Sequence, residues 1–220
     1  MPINTLFFDL DATLYPESNG LWPAIRERIG LYMREVMHLP EGEISRLREH
    51  YYVNYGTTLR GLQTQYDIDT QTYLDFVHNL PLEEYLQPDP ELHTLLLSLP
   101  QRRWIFTNSD RPHTERVLET LGIADCFEGI VDVYALEPYC KPQVESYRLA
   151  LDLARVAAPE DCALLDDSTR NLAPAHEMGI FTVLVGSNGA HPAADRTLTD
   201  IHDLPQAVPE FWEQQGAGKR

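Results

Sequence analysis

The sequence predicts an α/β protein built on a doubly wound parallel sheet, with a helical unit inserted after the first strand. After Pro90, short apolar runs alternate with amphipathic stretches, which is typical of a parallel sheet covered by helices on both faces. Between about 21 and 87, the apolar residues recur at helical spacing instead. We therefore expect a core formed by residues 1–17 and 88–220 and a helical cap formed by residues 18–87.

Five short apolar segments are predicted as strands. Each is rich in β-branched, aromatic or leucine side chains and is followed by polar or turn-forming residues. The first segment leads into a turn at 15–20, which contains proline, serine, asparagine and glycine. The predicted strands cover residues 5–9, 103–107, 130–133, 162–166 and 181–185.

Amphipathic segments between and beyond these strands are predicted as helices. In the inserted unit, Ile25, Ile29, Met33 and Val36 recur every three or four residues, the period of a helix with one buried face. In the core, a glycine ends the apolar pattern of two helices. The predicted helices cover about 25–36, 43–53, 57–66 and 70–80 in the inserted unit, and 91–99, 114–121, 143–155, 169–178 and 204–214 in the core.

Composition narrows the range of partners and compartments. The 220-residue chain has 34 acidic and 17 basic residues, a formal net charge of −17, which argues against nucleic acid or an anionic membrane as a partner. Cys126, Cys140 and Cys162 are odd in number and lack metal-ligand spacing, so reduced thiols and a cytoplasmic location are expected. No signal peptide or transmembrane segment is predicted. The sequence does not indicate the oligomeric state.

The residues that can carry chemistry stand where predicted strands end. Taken singly, each also suits a helix cap, a turn or a solvated surface charge. Open α/β sheets place their sites at the carboxyl edge of the strands, so together these residues favour a site at that edge. They are Asp9 and Asp11 after the first strand, Thr107 and Asn108 after the second, Lys141 after the third, and Asp166 and Asp167 at the end of the fourth.

The expected chemistry is phosphoryl transfer at a magnesium ion. Asp9, Asp166 and Asp167 would concentrate negative charge in one crevice, and hard oxygen ligands of this kind favour Mg²⁺. Thr107, the amides near Asn108 and Lys141 would bind the remaining phosphate oxygens. The pKa of Asp11 would be free to rise beside other carboxylates, which is the requirement for a general acid.

These motifs resemble those of haloacid dehalogenase-superfamily phosphatases. Residues 9–13 match the D-x-D-x-T motif of that superfamily, Thr107 its second motif, Lys141 its third, and Asp166-Asp167 its fourth. All four occur in the order of the superfamily, each at its expected strand end. The resemblance implies a Rossmann-like core, and the helical insertion after the first motif resembles the small helical cap of these enzymes.

The resemblance also implies a role for each matched residue. Asp9 would attack phosphorus and become an aspartyl-phosphate, and Asp11 would protonate the leaving alcohol and then activate water. Thr107 and Lys141 would bind the phosphoryl group. Mg²⁺ would be held by Asp9, the backbone carbonyl of Asp11 and Asp167, with Asp166 bound directly or through water.

A narrower resemblance concerns the cap. The string at 50–62, His-Tyr-Tyr-Val-Asn-Tyr-Gly-Thr-Thr-Leu-Arg-Gly-Leu, resembles the pyrimidine 5′-nucleotidase branch, as do residues 106–108, 121–125 and 166–171. Tyr55 and Arg60 are therefore expected to bind substrate, and Asn171 to bridge the core and the cap. A small phosphorylated metabolite is the expected partner, and a pyrimidine nucleoside 5′-monophosphate is the first candidate.

Several alternatives stay open at this point. The substrate could be a sugar phosphate or a lysophospholipid phosphate, or the protein could be a catalytically silent binding or regulatory module with this fold. A carbon–halogen hydrolase is disfavoured, because that chemistry needs neither an acid at Asp11 nor a magnesium cluster. A receiver-type signalling domain is disfavoured by the helical insertion.

Overall fold

The described residues form six parallel strands, which pair in one sheet in the order β3-β2-β1-β4-β5-β6. The structure, a computed structural model, describes residues 3–213. The strands are β1 (Thr5–Phe8), β2 (Arg102–Phe106), β3 (Gly129–Val131), β4 (Cys162–Asp166), β5 (Phe181–Val185) and β6 (Arg196–Leu198).

Strand β1 lies at the centre of the sheet, between β2 and β4. Phe8 is in register with Ile105 of β2 and Leu165 of β4, so the three strands end nearly level. The chain passes from β1 to β2 on one side and returns to β4 on the other. This reversal creates a crevice at the carboxyl ends of β1 and β4, the position where open α/β sheets bind ligands.

Ten α-helices are formed by the described residues, four of them in the insertion after β1. A π-helical segment, Tyr32–Val36, continues the first helix. The helices are α1 (Leu21–Leu31), α2 (Glu41–Tyr55), α3 (Thr58–Gln65), α4 (Thr70–Val77), α5 (Pro90–Ser98), α6 (Arg111–Leu121), α7 (Val144–Leu153), α8 (Thr169–Glu177), α9 (Leu204–Ala207) and α10 (Glu210–Glu213).

The sheet is buried on both faces. Successive side chains of β1 point to opposite faces, so Leu6 and Phe8 belong to one apolar cluster and Phe7 to another. The first cluster includes residues of α5, α6, α9 and α10, and the second includes residues of α7 and α8. Burial on both faces explains why the strands read as continuous apolar runs rather than alternating ones.

The inserted helices share a third apolar cluster, which includes Tyr32, Leu62 and Tyr73. Helices α2 and α3 approach each other closely at Gly61, because a Cβ at that position would lie 2.2 Å from Cγ of Tyr51. The assignment of residues 18–87 to a separate cap stays a prediction, as do its boundaries. None of the helices formed by residues 3–213 is long and apolar enough to cross a bilayer.

The predicted α/β fold is confirmed, with two differences. Strand β6 was not predicted, because it has three residues and two of them, Arg196 and Thr197, are polar. The predicted helix at 204–214 is two short helices within the described residues, separated at Val208 and Pro209. Pro209 has no backbone N–H to continue the first of these helices. Residue 214, the last of that prediction, lies outside the described residues.

Candidate active site

The ammonium group of Lys141 lies at the centre of the carboxyl edge of the sheet. Its Nζ donates hydrogen bonds to Oδ1 of Asp9 at 2.8 Å, Oδ2 of Asp166 at 2.7 Å and the backbone oxygen of Phe106 at 2.7 Å. Burial alone would lower the pKa of Lys141, but the charges of Asp166 and Asp9 raise it above its usual range. A buried cation therefore holds the ends of three strands together.

Three carboxylates converge beside this cation. One oxygen each from Asp9, Asp166 and Asp167 lies within 4.8 Å of the others. Burial raises the pKa of Asp9 well above its usual range, and the nearby Asp166 and Asp167 add to this while Lys141 opposes it. Desolvation and the Asp166 charge raise the pKa of Asp167 to about 7. Three close carboxylates with one lysine fit a divalent cation, because hard oxygen ligands and surplus negative charge favour Mg²⁺.

Of these three carboxylates, Asp166 accepts the most hydrogen bonds from other protein groups. It is fully buried, and besides the Lys141 bond it accepts hydrogen bonds from the backbone N–H of Ser168 at 2.9 Å and from Nδ2 of Asn171 at 3.0 and 3.1 Å. Asp167, in contrast, keeps part of its surface accessible in the cavity, although the surrounding protein partly desolvates its carboxylate. Asp167 is therefore the freer of the two to contact a ligand.

The side chain of Asp11 is held by three other residues, away from Lys141. Oδ2 accepts a hydrogen bond from Oγ of Ser109 at 2.7 Å, and Oδ1 accepts one from the hydroxyl of Tyr15 and lies 3.2 Å from Nε2 of His113. Burial would raise the pKa of Asp11, but the His113 charge and these hydrogen bonds together hold it well below its usual range. The expectation that this pKa rises is therefore wrong for the protein without substrate.

A second imidazole stacks on His113. The ring centroids of His78 and His113 are 4.1 Å apart and the planes differ by 14°. His78 follows α4 and its Nδ1 lies 2.7 Å from Oδ1 of Asp110. Arg116 donates hydrogen bonds to the backbone oxygens of His78 and Leu80 at 3.0 and 2.7 Å. The end of the inserted helical unit is thus fastened next to the Asp11 site.

Thr107 and Asn108 lie on the loop after β2, beside Lys141. The side-chain amide of Asn108 accepts a hydrogen bond from the Lys141 backbone N–H at 2.9 Å and donates one to its backbone oxygen at 3.1 Å. Oγ1 of Thr107 accepts the backbone N–H of Ser109 at 3.0 Å. The Asn108 side chain therefore positions Lys141. Because that side chain is occupied, Asn108 would bind phosphate through its backbone N–H.

Several of the site residues line a cavity of about 860 Å³. We use "floor" for the core residues that line it and "roof" for the lining residues of the inserted helices. The cavity size is in the range of small-molecule sites in proteins. The floor includes Asp9, Asp11, Thr107, Asn108, Lys141, Asp167 and Asn171, and the roof includes Trp22, Arg26, Arg48, Tyr52 and Tyr73.

Tyr55 and Arg60, which the sequence suggested as substrate-binding residues, lie outside this cavity and line a separate surface depression. The Arg60 side chain is buried, and its Nη2 donates hydrogen bonds to the backbone oxygens of Val133 at 2.9 Å and Tyr139 at 3.0 Å. Its Nη1 also pairs with Glu137 at 3.1 Å. The guanidinium is therefore occupied in fastening α3 to the loop before Lys141, which corrects the expectation that it meets substrate.

Asn171 lines the cavity, but its amide binds Asp166 rather than the cap. The neighbouring Arg170 makes the expected bridge instead. It donates hydrogen bonds to the backbone oxygens of Gly56 at 3.2 Å and Val53 at 3.1 Å, and its guanidinium lies 4.3 Å from the ring centroid of Tyr52. Arg170 thus caps the end of α2 from the core side.

Sequence reasoning missed four residues around Asp11: Tyr15, His78, Ser109 and His113. Tyr15 and Ser109 stand close to the first two motifs, and their proximity is a signal that could have been used. The two histidines are 35 residues apart, as their numbering in the printed sequence shows, and meet only through tertiary packing. No local pattern pairs them.

Two sequence comparisons bear on this site. A family model described as a hydrolase, "haloacid dehalogenase-like hydrolase", matches residues 3–179. "Phosphate metabolism protein 8" of Saccharomyces cerevisiae is 31% identical over 194 residues, which cover 81% of this chain and 60% of that protein. The chain therefore spans less than two thirds of the length of this relative.

Solved structures agree in fold. CbbY from Rhodobacter sphaeroides, solved in complex with phosphate, gives a TM-score of 0.65 at 19% identity and covers 92% of this chain and 96% of that chain. L-2-haloacid dehalogenase from Xanthobacter autotrophicus, solved with chloropropionic acid covalently bound, gives a TM-score of 0.59 at 17% identity. The match covers 98% of this chain and 100% of that chain. At these identities the likeness shows the fold alone. With the family model matching most of the sequence, the chain belongs to the haloacid dehalogenase-like hydrolase family.

Proposed function

We propose that this hydrolase is a Mg²⁺-dependent phosphomonoesterase that works through an aspartyl-phosphate at Asp9. One observation carries the proposal. The Asp9 carboxylate lies at the cavity floor, 2.8 Å from Nζ of Lys141 and within 4.8 Å of both Asp166 and Asp167. A carboxylate with this surplus of negative charge around it suits a metal-assisted nucleophile.

Asp9, Asp167 and the backbone carbonyl of Asp11 would hold the ion, with Asp166 bound directly or through water. Asp166 already accepts hydrogen bonds from three residues, which favours contact through water. Bound there, Mg²⁺ would neutralise the charge that otherwise separates an anionic nucleophile from an anionic phosphate.

In the first half of the reaction, an Asp9 oxygen attacks phosphorus and the bond from phosphorus to the ester oxygen breaks. Thr107 binds a phosphoryl oxygen during this step. The three N–H groups of Lys141 all have partners in the free protein, so Lys141 supplies positive charge to the phosphoryl group and donates a hydrogen bond to it only by releasing one of these partners. The departing oxygen takes a proton from Asp11. Because the pKa of Asp11 is low in the free protein, this step requires the bound phosphate dianion to raise it.

In the second half, water attacks phosphorus and the bond from phosphorus to Asp9 breaks, which releases inorganic phosphate. Asp11 accepts the proton of that water, so the group that gave a proton in the first half is restored. Ser109 and His113 hold the carboxylate oxygens of Asp11 at fixed points, which suits a base that must meet the water in one orientation.

A pyrimidine nucleoside 5′-monophosphate is the first substrate to test. The residues that suggested it from sequence, Tyr55 and Arg60, lie outside the cavity, so they no longer support it. The aromatic side chains of Trp22 and Tyr52 line the roof and offer faces on which a base can stack. Sugar phosphates and a lysophospholipid phosphate are the other substrate classes.

The test is hydrolysis of p-nitrophenyl phosphate with added Mg²⁺ and with EDTA, for the wild type, Asp9→Asn and Asp152→Asn. Asp152 is an exposed residue of α7 and serves as the matched control. We expect turnover by the wild type and by Asp152→Asn, loss with EDTA, and none by Asp9→Asn. Equal phosphate release by Asp9→Asn and the wild type would reject Asp9 as the nucleophile. No release by either protein would reject the enzymatic proposal and leave a catalytically silent protein with this fold.

Substrate choice is measured separately with UMP, CMP, AMP, sugar phosphates and lysophosphatidate. A clear preference for UMP and CMP would support the pyrimidine assignment. Preference for purine or sugar phosphates would reject it while leaving the reaction mechanism intact.

A further inference from the structure

Two arginines on the cavity roof differ from the other arginines of the inserted helices. Within residues 3–213, neither Arg26 nor Arg48 makes a hydrogen bond or an ion pair with another protein group. The other four have partners: Arg28 donates to the Phe76 backbone oxygen, Arg34 pairs with Glu35 and Glu41, Arg46 pairs with Glu43, and Arg60 pairs with Glu137 and core carbonyls.

The Arg48 side chain is partly withdrawn from water. It is half-buried, and its Nε is fully buried without a hydrogen-bond partner. The Arg48 guanidinium lies beside Gly30 of α1, where a Cβ would be in ordinary van der Waals contact with it, 3.7 Å from Nη1. The fully buried Nε is closed to a ligand. The two Nη groups of Arg48 are not fully buried and have no partner within residues 3–213, so an acceptor supplied by a ligand would stabilise the charged guanidinium there.

Arg26 and Arg48 are both positively charged, and their charges repel each other. Burial and the Arg26 charge both lower the pKa of Arg48. Glu49 also lines the cavity, but it is exposed and, among the described residues, pairs with neither arginine. The chain has a net charge of −17, so two positive side chains that line one cavity and have no partner among residues 3–213 contrast with the acidic composition of the protein.

The two arginines line the same cavity as the proposed phosphate site, but they belong to the inserted helices α1 and α2, whereas the phosphate-site residues belong to the core. The floor would hold the phosphoryl group that is transferred. A group that reaches the roof therefore belongs to the leaving group of the substrate. Trp22 and Tyr52, on the same two helices as the arginines, add apolar contact area to the roof.

We propose that Arg26 and Arg48 bind a second anionic group, a carboxylate or a phosphate, carried by the leaving group of the substrate. Guanidinium groups bind both anions through paired, charge-assisted hydrogen bonds. This inference rests on the proposed phosphomonoesterase function and narrows its substrate class to phosphate esters with a second negative group. A plain nucleoside 5′-monophosphate lacks that group.

The test compares kcat/KM for pairs of substrates that differ in the second anion. One pair is 3-phosphoglycerate and glycerol 3-phosphate, which tests a carboxylate. The other is uridine 3′,5′-bisphosphate and UMP, which tests a phosphate. We expect the wild type to prefer the doubly anionic member of at least one pair by about tenfold or more, mainly through a lower KM.

The variants Arg48→Gln and Arg26→Gln are measured on the same pairs, with Arg46→Gln as the matched control. Arg46 is on α2 like Arg48, but it pairs with Glu43 and does not line the cavity. We expect Arg48→Gln to reduce the preference ratio about tenfold, Arg48→Lys to restore part of it, and Arg46→Gln to keep the wild-type ratio. Arg26 is exposed, so Arg26→Gln serves if Arg48→Gln fails to fold.

Different results would overturn the second-anion inference and the phosphomonoesterase proposal. If the wild type hydrolyses p-nitrophenyl phosphate with Mg²⁺ but prefers neither doubly anionic substrate, the inference is overturned and the phosphomonoesterase proposal stands. A preference that Arg48→Gln and Arg26→Gln leave unchanged also overturns it. If no phosphate ester is hydrolysed, the proposed function itself is rejected.

Discussion

Nε2 of His113 lies 3.2 Å from Oδ1 of Asp11, in a part of the site where both side chains are buried. Ser109 and Tyr15 complete the hydrogen bonds to the same carboxylate, and His78 stacks on the far face of the imidazole. The proposed acid and base is therefore held in one orientation by residues from three separate parts of the chain.

This relationship predicts a defect in turnover when His113 is replaced. The variant His113→Leu removes the contact to Asp11, and a carboxylate that is misplaced by about an ångström can cost roughly 10²-fold in rate. We expect kcat on p-nitrophenyl phosphate to fall by about this factor while KM changes less, and His113→Gln to retain more activity than His113→Leu. Steady-state kinetics on folded variants, verified by circular dichroism, provide the measurement. An unchanged kcat for His113→Leu would mean that Ser109 and Tyr15 orient Asp11 without help.

The position of Lys141 between two carboxylates predicts that the free energy of unfolding depends on Mg²⁺ binding. The variant Lys141→Met leaves the buried carboxylates of Asp9 and Asp166 without their cation, and breaking a buried pair in this way costs about 3–5 kcal/mol. We expect the free energy of unfolding in EDTA to fall by roughly this amount, and Mg²⁺ to recover part of the loss by binding the folded state. Urea unfolding with and without Mg²⁺ measures both effects.

The control for this experiment is Arg148→Met, at an exposed position of α7. It should unfold like the wild type under both conditions. A Lys141→Met protein as stable as the wild type in EDTA would contradict the electrostatic account of the site. A loss that Mg²⁺ does not reduce at all would argue against a metal between the carboxylates.

His202 predicts a pH dependence of stability. Its Nε2 lies 3.0 Å from Oδ2 of Asp89 and its Nδ1 bonds to Asp200; although burial lowers its pKa, these contacts raise it above the usual value overall. The folded protein therefore binds the proton more tightly than the unfolded chain. The resulting stabilisation is fully present below the unfolded pKa of about 6.5 and is lost as pH rises through the folded pKa.

We expect the variant His202→Gln to be destabilised relative to the wild type at pH 5.5, with the difference shrinking by pH 8.5. Urea unfolding at both pH values gives the comparison, with His50→Gln, at an exposed position of α2, as the control. A difference that is constant or grows with pH would show that the pairing with Asp89 and Asp200 does not favour the protonated imidazole.

The sheet and its polar edge could be predicted because the signals are local. Each strand is a short apolar run, and parallel strands bring their carboxyl ends to one edge, so Asp9, Lys141 and Asp166 could be expected to meet. Strand β6 lacks such a run and was missed. Its pairing with β5 depends on backbone hydrogen bonds that composition does not indicate.

The contacts of Asp11 and the roles of the arginines in the inserted helices could not be predicted from local sequence patterns. The low pKa of Asp11 comes mainly from His113, 102 residues away in the chain. Arg60 follows a Gly-Thr-Thr segment typical of a turn, yet tertiary packing buries its side chain against core carbonyls. Arg48, in contrast, stands in an ordinary charged helix and reaches the cavity because of how α2 packs on α1.

The central claim is that Asp9 carries the phosphoryl group during turnover. The most direct measurement is the intact mass of Asp11→Asn after acid quench from a reaction with p-nitrophenyl phosphate and Mg²⁺, followed by peptide mapping. This variant lacks the acid for the first step, but p-nitrophenolate leaves without a proton, so only the second step, which needs the base, is blocked. We therefore expect a fraction of the protein to gain the mass of one phosphoryl group at Asp9, and Asp9→Asn to gain none. Phosphate release by the wild type with no phosphorylated Asp9 in any quenched sample, or an adduct mapped to another residue, would contradict the account.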